Sequence, residues 1–389
     1  MGLISRRALL GGLGAAPLLI AGGAGAQGTR PQRGGGRIQL QDGRLWMQVS
    51  IGPRGPFPFV IDTGTNVNLI REDLARELGL RLLGTLNMEG IGGTVMVARF
   101  LGRNVRLGEV EVGDMVFAGA ASGLNIHRAA MGALSASMLT YADAELDFDA
   151  LEWRVRPEGI GARPGYEMLP SLIARARPGT GASPIFIDVA IGGQNYRLRA
   201  DTGSPAPLHL WPRAVRRSGL WDNGRPFAPV RPGGIGGEGE RGRVLRAGEV
   251  AIGSLHFPNM LAVADNPRAA SVHPGDGLIG LPLLQRMNLS SDLRRNRLWA
   301  RANALPPPPE RYGLSGMWVE QGQGGVEVVE VSPASPAAEA GLQVGDIIPG
   351  IPLDAFVAGL SGRPGDAVEI SYRRGGEMRR TRLVLRAFL

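Results

Sequence analysis

The chain reads as a mainly-β protein made of two tandem β lobes followed by a third, C-terminal unit. Three observations carry that expectation. Gly 60 and Pro 29 stand against only 5% aromatics in 389 residues, a mix that favours short strands and turns over long helices. One series of signals (strand, turn, strand, short helix, glycine hairpin, apolar strand) occurs twice in the same order. A run of prolines then introduces a tail with a different pattern. With 43% hydrophobic and 20% charged residues, a chain of this length can bury a core in each of several domains.

Composition and spacing remove several classes of function. Cysteine is absent, which excludes disulfides, thiolate metal sites and a cysteine nucleophile. The basic residues are all arginine and leave a net charge of +8, but they are scattered, without basic runs or interleaved aromatics, so no nucleic-acid partner is expected. His127, His209, His256 and His273 are too far apart for a helical metal motif, and neither a metal nor an organic cofactor is expected. Gly234-Ile235-Gly236-Gly237-Glu238-Gly239 fits a dinucleotide fingerprint formally, yet no strand-to-helix unit frames it. Asp147-Phe148-Asp149 opens like a calcium loop, but Leu151 and Glu152 fill positions that need a ligand and a glycine. There is no Gly-x-Ser-x-Gly elbow.

Residues 1–26 read as an address. Arg6-Arg7 precede a Gly/Ala-rich apolar stretch that closes on Ala24-Gly25-Ala26, the small residues a signal peptidase needs. This resembles a twin-arginine export signal and implies an exported protein, periplasmic or extracellular, with an ordinary secretory signal as the alternative. No later run is apolar enough to span a membrane, so no stable span is expected in the mature chain.

The first lobe is expected over 37–157 and the second over 184–302, with a Gly/Pro/Arg-rich linker at 158–183 between them. Leu45–Ile51 and Phe57–Ile61 form the first strand pair; Ile185–Ile191 and Tyr196–Ala200, joined by Gly192-Gly193, form the second. Each pair ends in the same tripeptide, Asp62-Thr63-Gly64 and Asp201-Thr202-Gly203. Short helices follow, stopped by Gly79 and Gly219, with Pro212 suited to a first helical turn. Glycine hairpins come next, Gly90-Ile91-Gly92-Gly93 and Gly234-Ile235-Gly236-Gly237, then Gly132-Ala133-Leu134-Ser135 and Gly277-Leu278-Ile279-Gly280. Each copy closes on an acidic strand, Glu145–Asp149 or Ser291–Leu293.

One Asp-Thr-Gly usually marks a surface turn; two, each ending an apolar strand and each trailed by matching elements, point to chemistry. A strand that ends in aspartate delivers its carboxylate to a sheet edge. Thr63 and Thr202 can bond backbone across a two-fold axis, and Gly64 and Gly203 permit the tight turn behind them. Two carboxylates brought together cannot both ionise easily, so they share a proton and can activate one water.

Both repeats resemble the lobes of aspartic proteases, more the compact retropepsin-like members than the large pepsin-like ones, over about two thirds of the chain. The resemblance implies that Asp62 and Asp201 carry catalysis on polypeptide substrates and that Thr63 and Thr202 lock the pair. It further implies that the hydroxyls of Thr65 and Ser204 bond the outer carboxylate oxygens, which would set an activity optimum on the acid side of neutrality. The hairpins around Ile91 and Ile235 would be flaps over an extended peptide, although neither carries the tyrosine of pepsin-like flaps. Ser135 departs from the pattern, since the second copy has Gly280 there.

Leu305-Pro306-Pro307-Pro308-Pro309 reads as a semi-rigid linker, 303–310, before a last domain at 311–389. Gly325–Val331 alternates like a half-buried strand, and Ser335-Pro336 opens a short helix stopped by Gly341. Ser335-Pro336-Ala337-Ala338-Glu339-Ala340-Gly341-Leu342 with Gly345-Asp346 resembles a bacterial PDZ domain. By that resemblance Gly313, Leu314, Ser315 and Gly316 would hold a peptide's C-terminal carboxylate while the ligand adds as a strand. The usual Asn-Gly turn after the Gly-Asp strand is replaced by Pro349-Gly350-Ile351-Pro352. The reading is an aspartic endopeptidase with a peptide-binding tail; the alternative is an inactive bilobed scaffold that binds peptides.

Overall fold

The computed structural model describes residues 34–90, 93–120, 127–176, 180–234, 237–270 and 273–389. The region expected to be an export signal, 1–26, lies outside them, as do Ile91, Gly92, Ile235 and Gly236 at the hairpin tips. Strands dominate, and helices are limited to six short segments among the described residues.

The strand pairings of the two repeats correspond. In lobe one Arg44–Ile51 pairs antiparallel with Arg54–Ile61, which lies parallel to Gly132–Leu134. In lobe two Ile185–Ile191 pairs with Gln194–Asp201, which lies parallel to Gly277–Gly280. Period-two burial places Ile185, Ile187, Val189 and Ile191 in the core while the residues between them are half-exposed. The helices Glu72–Glu77 and Pro212–Ser218 stop where glycine takes the left-handed backbone, at Gly79 (φ 62°) and Gly219 (φ 64°).

A shared sheet joins the lobes. The acidic strands of the two repeats, Asp143–Asp147 and Met287–Asp292, pair with each other, Leu289 opposite Leu146 and Ser290 opposite Glu145. Their outer partners are Glu152–Arg156 and Arg297–Ala302, so strands from both repeats form one continuous layer beneath the lobes. Leu146, Phe148, Leu289, Leu298 and Ala300 are fully buried in the core this layer shares with both lobes.

Three structural details go beyond the sequence pattern. The strand Gly34–Gln41 already pairs with Glu152–Arg156 through Gly34–Arg37, ahead of the expected start of lobe one at 37. The segment 158–183 is not a free linker: Glu167–Met168 adds to Arg297–Ala302, and Ser171–Ile173 adds to Ile185–Ile191. Arg163 fixes its start. With a side chain only 5% exposed, it donates to Ser290 Oγ (2.9 Å), Ser291 O (2.8 Å) and Ile160 O (3.0 Å), and faces Asp143 and Asp292. Finally, the two glycine hairpins are unequal. Arg81–Gly90 and Gly93–Leu107 form a long ribbon, whereas Gly233–Gly234 and Gly237–Glu238 form a two-rung one.

The tail is an antiparallel five-stranded sheet, Met317–Gly322, Gly325–Val331, Ile347–Ile348, Ala367–Arg374 and Glu377–Val384, with helices Pro336–Glu339 and Leu353–Gly359. It has its own apolar cluster, including Val326, Val328, Phe356, Ile370 and Leu383. Ser335 caps its helix through Oγ, which accepts from Ala338 N, with Pro336 in the first turn. Gly350 (φ 76°) makes the turn where Asn-Gly was missing. This unit rests on lobe two: Phe227 N donates to Ser332 Oγ (2.7 Å), and Arg243 pairs with Glu330 (2.8 Å).

Candidate active site

Asp62 follows directly on a buried strand whose last rungs are parallel to Gly132–Leu134, and its amide continues that ladder by donating to Leu134 O (2.7 Å). Asp201 ends the equivalent strand, in register with Gly280. The chain passing behind each strand end leaves no room for a side chain. A Cβ on Gly132 would stand 2.2 Å from Leu69 O, and one on Gly277 would stand 1.9 Å from His209 O. These two glycines are therefore part of the scaffold that presents the aspartates.

The two tripeptides meet across the lobe boundary through a reciprocal set of hydrogen bonds. Thr63 N donates to Thr202 Oγ1 (3.0 Å), and Thr202 N donates to Thr63 Oγ1 (3.0 Å). The hydroxyls continue outward, Thr63 Oγ1 to Ala200 O (3.0 Å) and Thr202 Oγ1 to Ile61 O (2.7 Å). Each threonine thus accepts from one lobe's backbone and donates to the same lobe, and both are about 1% exposed. Gly64 and Gly203 are needed for the approach itself. A Cβ on Gly64 would lie 2.3 Å from Asp201 Cγ, and one on Gly203 would lie 2.5 Å from Asp62 Cγ. The glycine of each lobe packs on the carboxylate of the other, which is how the aspartates come into contact.

Backbone amides hold the inner oxygens. Gly64 N donates to Asp62 Oδ1 (3.0 Å); Gly203 N (2.9 Å) and Ser204 N (3.1 Å) donate to Asp201 Oδ1. The expected hydroxyl contacts to the carboxylates are corrected. Thr65 Oγ1 donates to Asp62 O (3.1 Å) and Ser204 Oγ to Ala206 O (3.4 Å), because the tight turn after each aspartate directs both hydroxyls to main-chain acceptors. Both aspartates are half-buried, and the Asp62 carboxyl packs against Gly203 of the other lobe. Burial, then the negative charge of Asp201 and its hydrogen bond, push Asp62 from 3.8 up to about 8, against the opposing effects of Arg199 and the Gly64 amide. With the hydroxyls turned to main-chain acceptors, burial and the neighbouring Asp201 leave Asp62 holding its proton above the ordinary carboxylate range.

Ser135 fits. Its amide (2.9 Å) and hydroxyl (3.0 Å) both donate to Asn68 Oδ1, and Ser137 Oγ lies 3.0 Å from the Ser135 hydroxyl. In lobe two the corresponding amide, Gly280 N, donates to Pro207 O (2.9 Å). An asparagine side chain therefore supplies the acceptor that backbone provides in the other lobe, and leaves space for the extra hydroxyl. Asn68 was not singled out in the sequence, although its place where the second repeat has an apolar residue was a readable difference.

The hairpin residues Gly90, Gly93, Gly234 and Gly237 stand as antiparallel partners at the ends of their ribbons. Met88 and Val97 on the long ribbon bury against Trp46, Val60, Val67 and Leu69, an apolar wall beside Asp62. Each of the four histidines has its own partner away from the aspartate pair. His209 bonds Asp265 (2.7 Å), His256 bonds Glu249 (2.6 Å), His127 meets Trp46 edge-on, and His273 packs at a tilt against Trp211. Among the described residues no three His, Asp or Glu side chains gather as a metal site requires, and no helix is long and apolar enough to cross a membrane.

In the tail, Gly313 and Leu314 lead into buried Ser315 and Gly316. Gly316 (φ 69°) admits no side chain, since a Cβ would stand 2.2 Å from Ser335 Cβ. Ser315 O accepts from Ala337 N and Gly316 O from Ser332 N, so the loop is fastened to the helix that follows. The strand it opens, Met317–Gly322, is an edge of its sheet and among the described residues is hydrogen-bonded as a strand to Gly325–Val331 alone.

Residues 47–140, the greater part of the lobe that carries Asp62, match the family model described as aspartyl protease. Among solved structures, the aspartic proteinase from Irpex lacteus and basic 7S globulin from soybean are each 12% identical to this chain with a TM-score of 0.43. Each similarity covers 70% of this chain, and 98% and 95% of those proteins respectively. No curated protein matches the chain.

Proposed function

We propose that the chain is an aspartic endopeptidase that hydrolyses peptide bonds with a water activated between Asp62 and Asp201. The observation that carries this reading is the reciprocal Thr63–Thr202 bonding, which gathers one aspartate from each lobe into a single pair whose last proton is held to about pH 8. In the working form one carboxyl is ionised and the other protonated. The ionised group takes a proton from water as it attacks the scissile carbonyl, while the protonated group donates to the carbonyl oxygen. The tetrahedral intermediate collapses when a proton from the pair passes to the leaving nitrogen. Extended polypeptide would lie between the pair and the glycine hairpins, its apolar side chains against the wall built on Trp46, Val60 and Met88.

The PDZ-like tail is read as a device that captures peptide C-termini along Met317–Gly322, with the Gly313–Gly316 loop on the carboxylate. Arg6-Arg7 and the apolar stretch after them support export to the periplasm or beyond.

The test is cleavage of a diverse peptide mixture by the purified protein and by Asp62→Asn and Asp201→Asn. Each substitution should lower the rate by at least about 10³-fold while the circular dichroism stays that of the wild type, and a statine-type analogue should inhibit the wild type. Appreciable cleavage by either variant would remove the shared pair as the catalytic group.

A further inference from the structure

The two repeats part company at one place beside the aspartates. Two residues before Asp62 stands Val60, buried in the apolar wall of lobe one; two residues before Asp201 stands Arg199. Four residues after Asp62 stands Asn66, where the second repeat has Pro205. Strand alternation puts Arg199 and Asp201 on the same face of Gln194–Asp201. The Arg199 Nη2 donates to Asn66 Oδ1 at 2.6 Å, so its guanidinium reaches from lobe two to the loop that follows Asp62. Asn66 is itself held, because its carbonyl accepts from Gly181 N (3.0 Å). The register neighbours of Arg199, Phe186 and Leu278, bring no charge. Among the described residues, the charged groups that act on the Asp62 carboxyl are Asp201, which disfavours its ionisation, and Arg199, which favours it.

We propose that Arg199 is a positioning residue for the pair: anchored across the lobes on Asn66, its fixed positive charge stabilises the singly ionised pair that activates water and so sets the pH range of the enzyme. The proposal rests on the hydrolytic reading above. A neighbouring cation favours every ionised form, so it lowers both macroscopic pKa values of a coupled pair and moves the whole activity bell toward acid. Arginine suits the task because it stays charged throughout the range and its planar fork can be held in one orientation by the asparagine oxygen. The equivalent valine in lobe one leaves the pair with a counter-charge from one side only.

The experiment follows the two aspartates by ¹³C-carboxyl NMR titration in the full chain, with pH–rate profiles alongside, for wild type, Arg199→Met, Arg199→Lys and Asn66→Ala. Arg199→Met should move both steps of the pair to higher pH by about one unit, and the alkaline limb of cleavage by the same amount. Arg199→Lys should titrate near wild type, and Asn66→Ala, which keeps the charge but frees it, should fall between. A titration of Arg199→Met that coincides with wild type, with only lower kcat or lower Tm, would overturn the proposal. A change confined to KM or side-chain preference would also overturn it and make Arg199 a substrate contact. If Arg199→Met fails to fold, the Asn66→Ala titration decides in the same way. If the wild type cleaves nothing, the titration still decides the role of Arg199, and the failure falls on the hydrolytic reading alone.

Discussion

A carboxyl that titrates near 8 instead of 3.8 opposes folding whenever it is ionised, and Asp62 is such a group. Between those two values the native chain holds a proton that the unfolded chain has lost. The stability associated with Asp62 is therefore fully present below about pH 4 and is lost as pH rises through about 8. Asp62→Asn keeps the shape and removes the charge. Its Tm should exceed that of the wild type at pH 8, on the order of several °C, while the two converge near pH 4. Melting curves at the two pH values check this, and an equal or lower Tm for the variant at pH 8 would show that the carboxyl is not held in an unfavourable state. The same site shows what single residues disclosed in the sequence. Asp62, Thr63, Asp201 and Thr202 stood out because a tripeptide occurred twice in one context. Arg199, Asn66 and Asn68 did not stand out, because their meaning lies in the partner each meets across the fold and not in any local pattern.

At the scale of elements, periodic strands and glycine stops were legible wherever a local rule governs them. Ile185–Ile191 emerged with its expected bounds, and both helices end at the glycines that only a left-handed backbone requires. The segment 158–183 was read as linker for the opposite reason. Glu167–Met168 and Ser171–Ile173 are strands only because a ready sheet edge accepts them, and Arg163 is buried only because Asp143, Asp292 and Ser290 come from two different lobes to meet it. The edge strand Met317–Gly322 yields the prediction that belongs to this scale. Full-length Asp62→Asn, which cannot consume the ligand, should bind apolar-ended peptides, and amidating their carboxylates should weaken binding at least about tenfold. Equal affinity for acid and amide forms, measured by fluorescence anisotropy, would leave the tail as a unit that only packs on lobe two.

Across the whole molecule, the acidic strands and the aspartate turns occur once in each half. The pairing of Asp143–Asp147 with Met287–Asp292 fixes the lobes below, and the threonine bonds fix them above, so that the carboxylates meet where the repeats face each other. The likeness of the halves was readable; their inequality was readable only at single positions such as Ser135 and Gly280. Lobe one carries a long ribbon where lobe two has a two-rung hairpin, a valine precedes Asp62 where an arginine precedes Asp201, and the tail bonds to lobe two through Phe227 and Arg243. The central claim is that one proton shared by Asp62 and Asp201 does the chemistry, and the pH dependence of cleavage tests it most directly. With a substrate that does not titrate in the range, kcat/KM should trace a bell whose alkaline limb falls through about pH 8, where the pair loses its last proton. A rate that keeps rising through pH 9 would contradict the account.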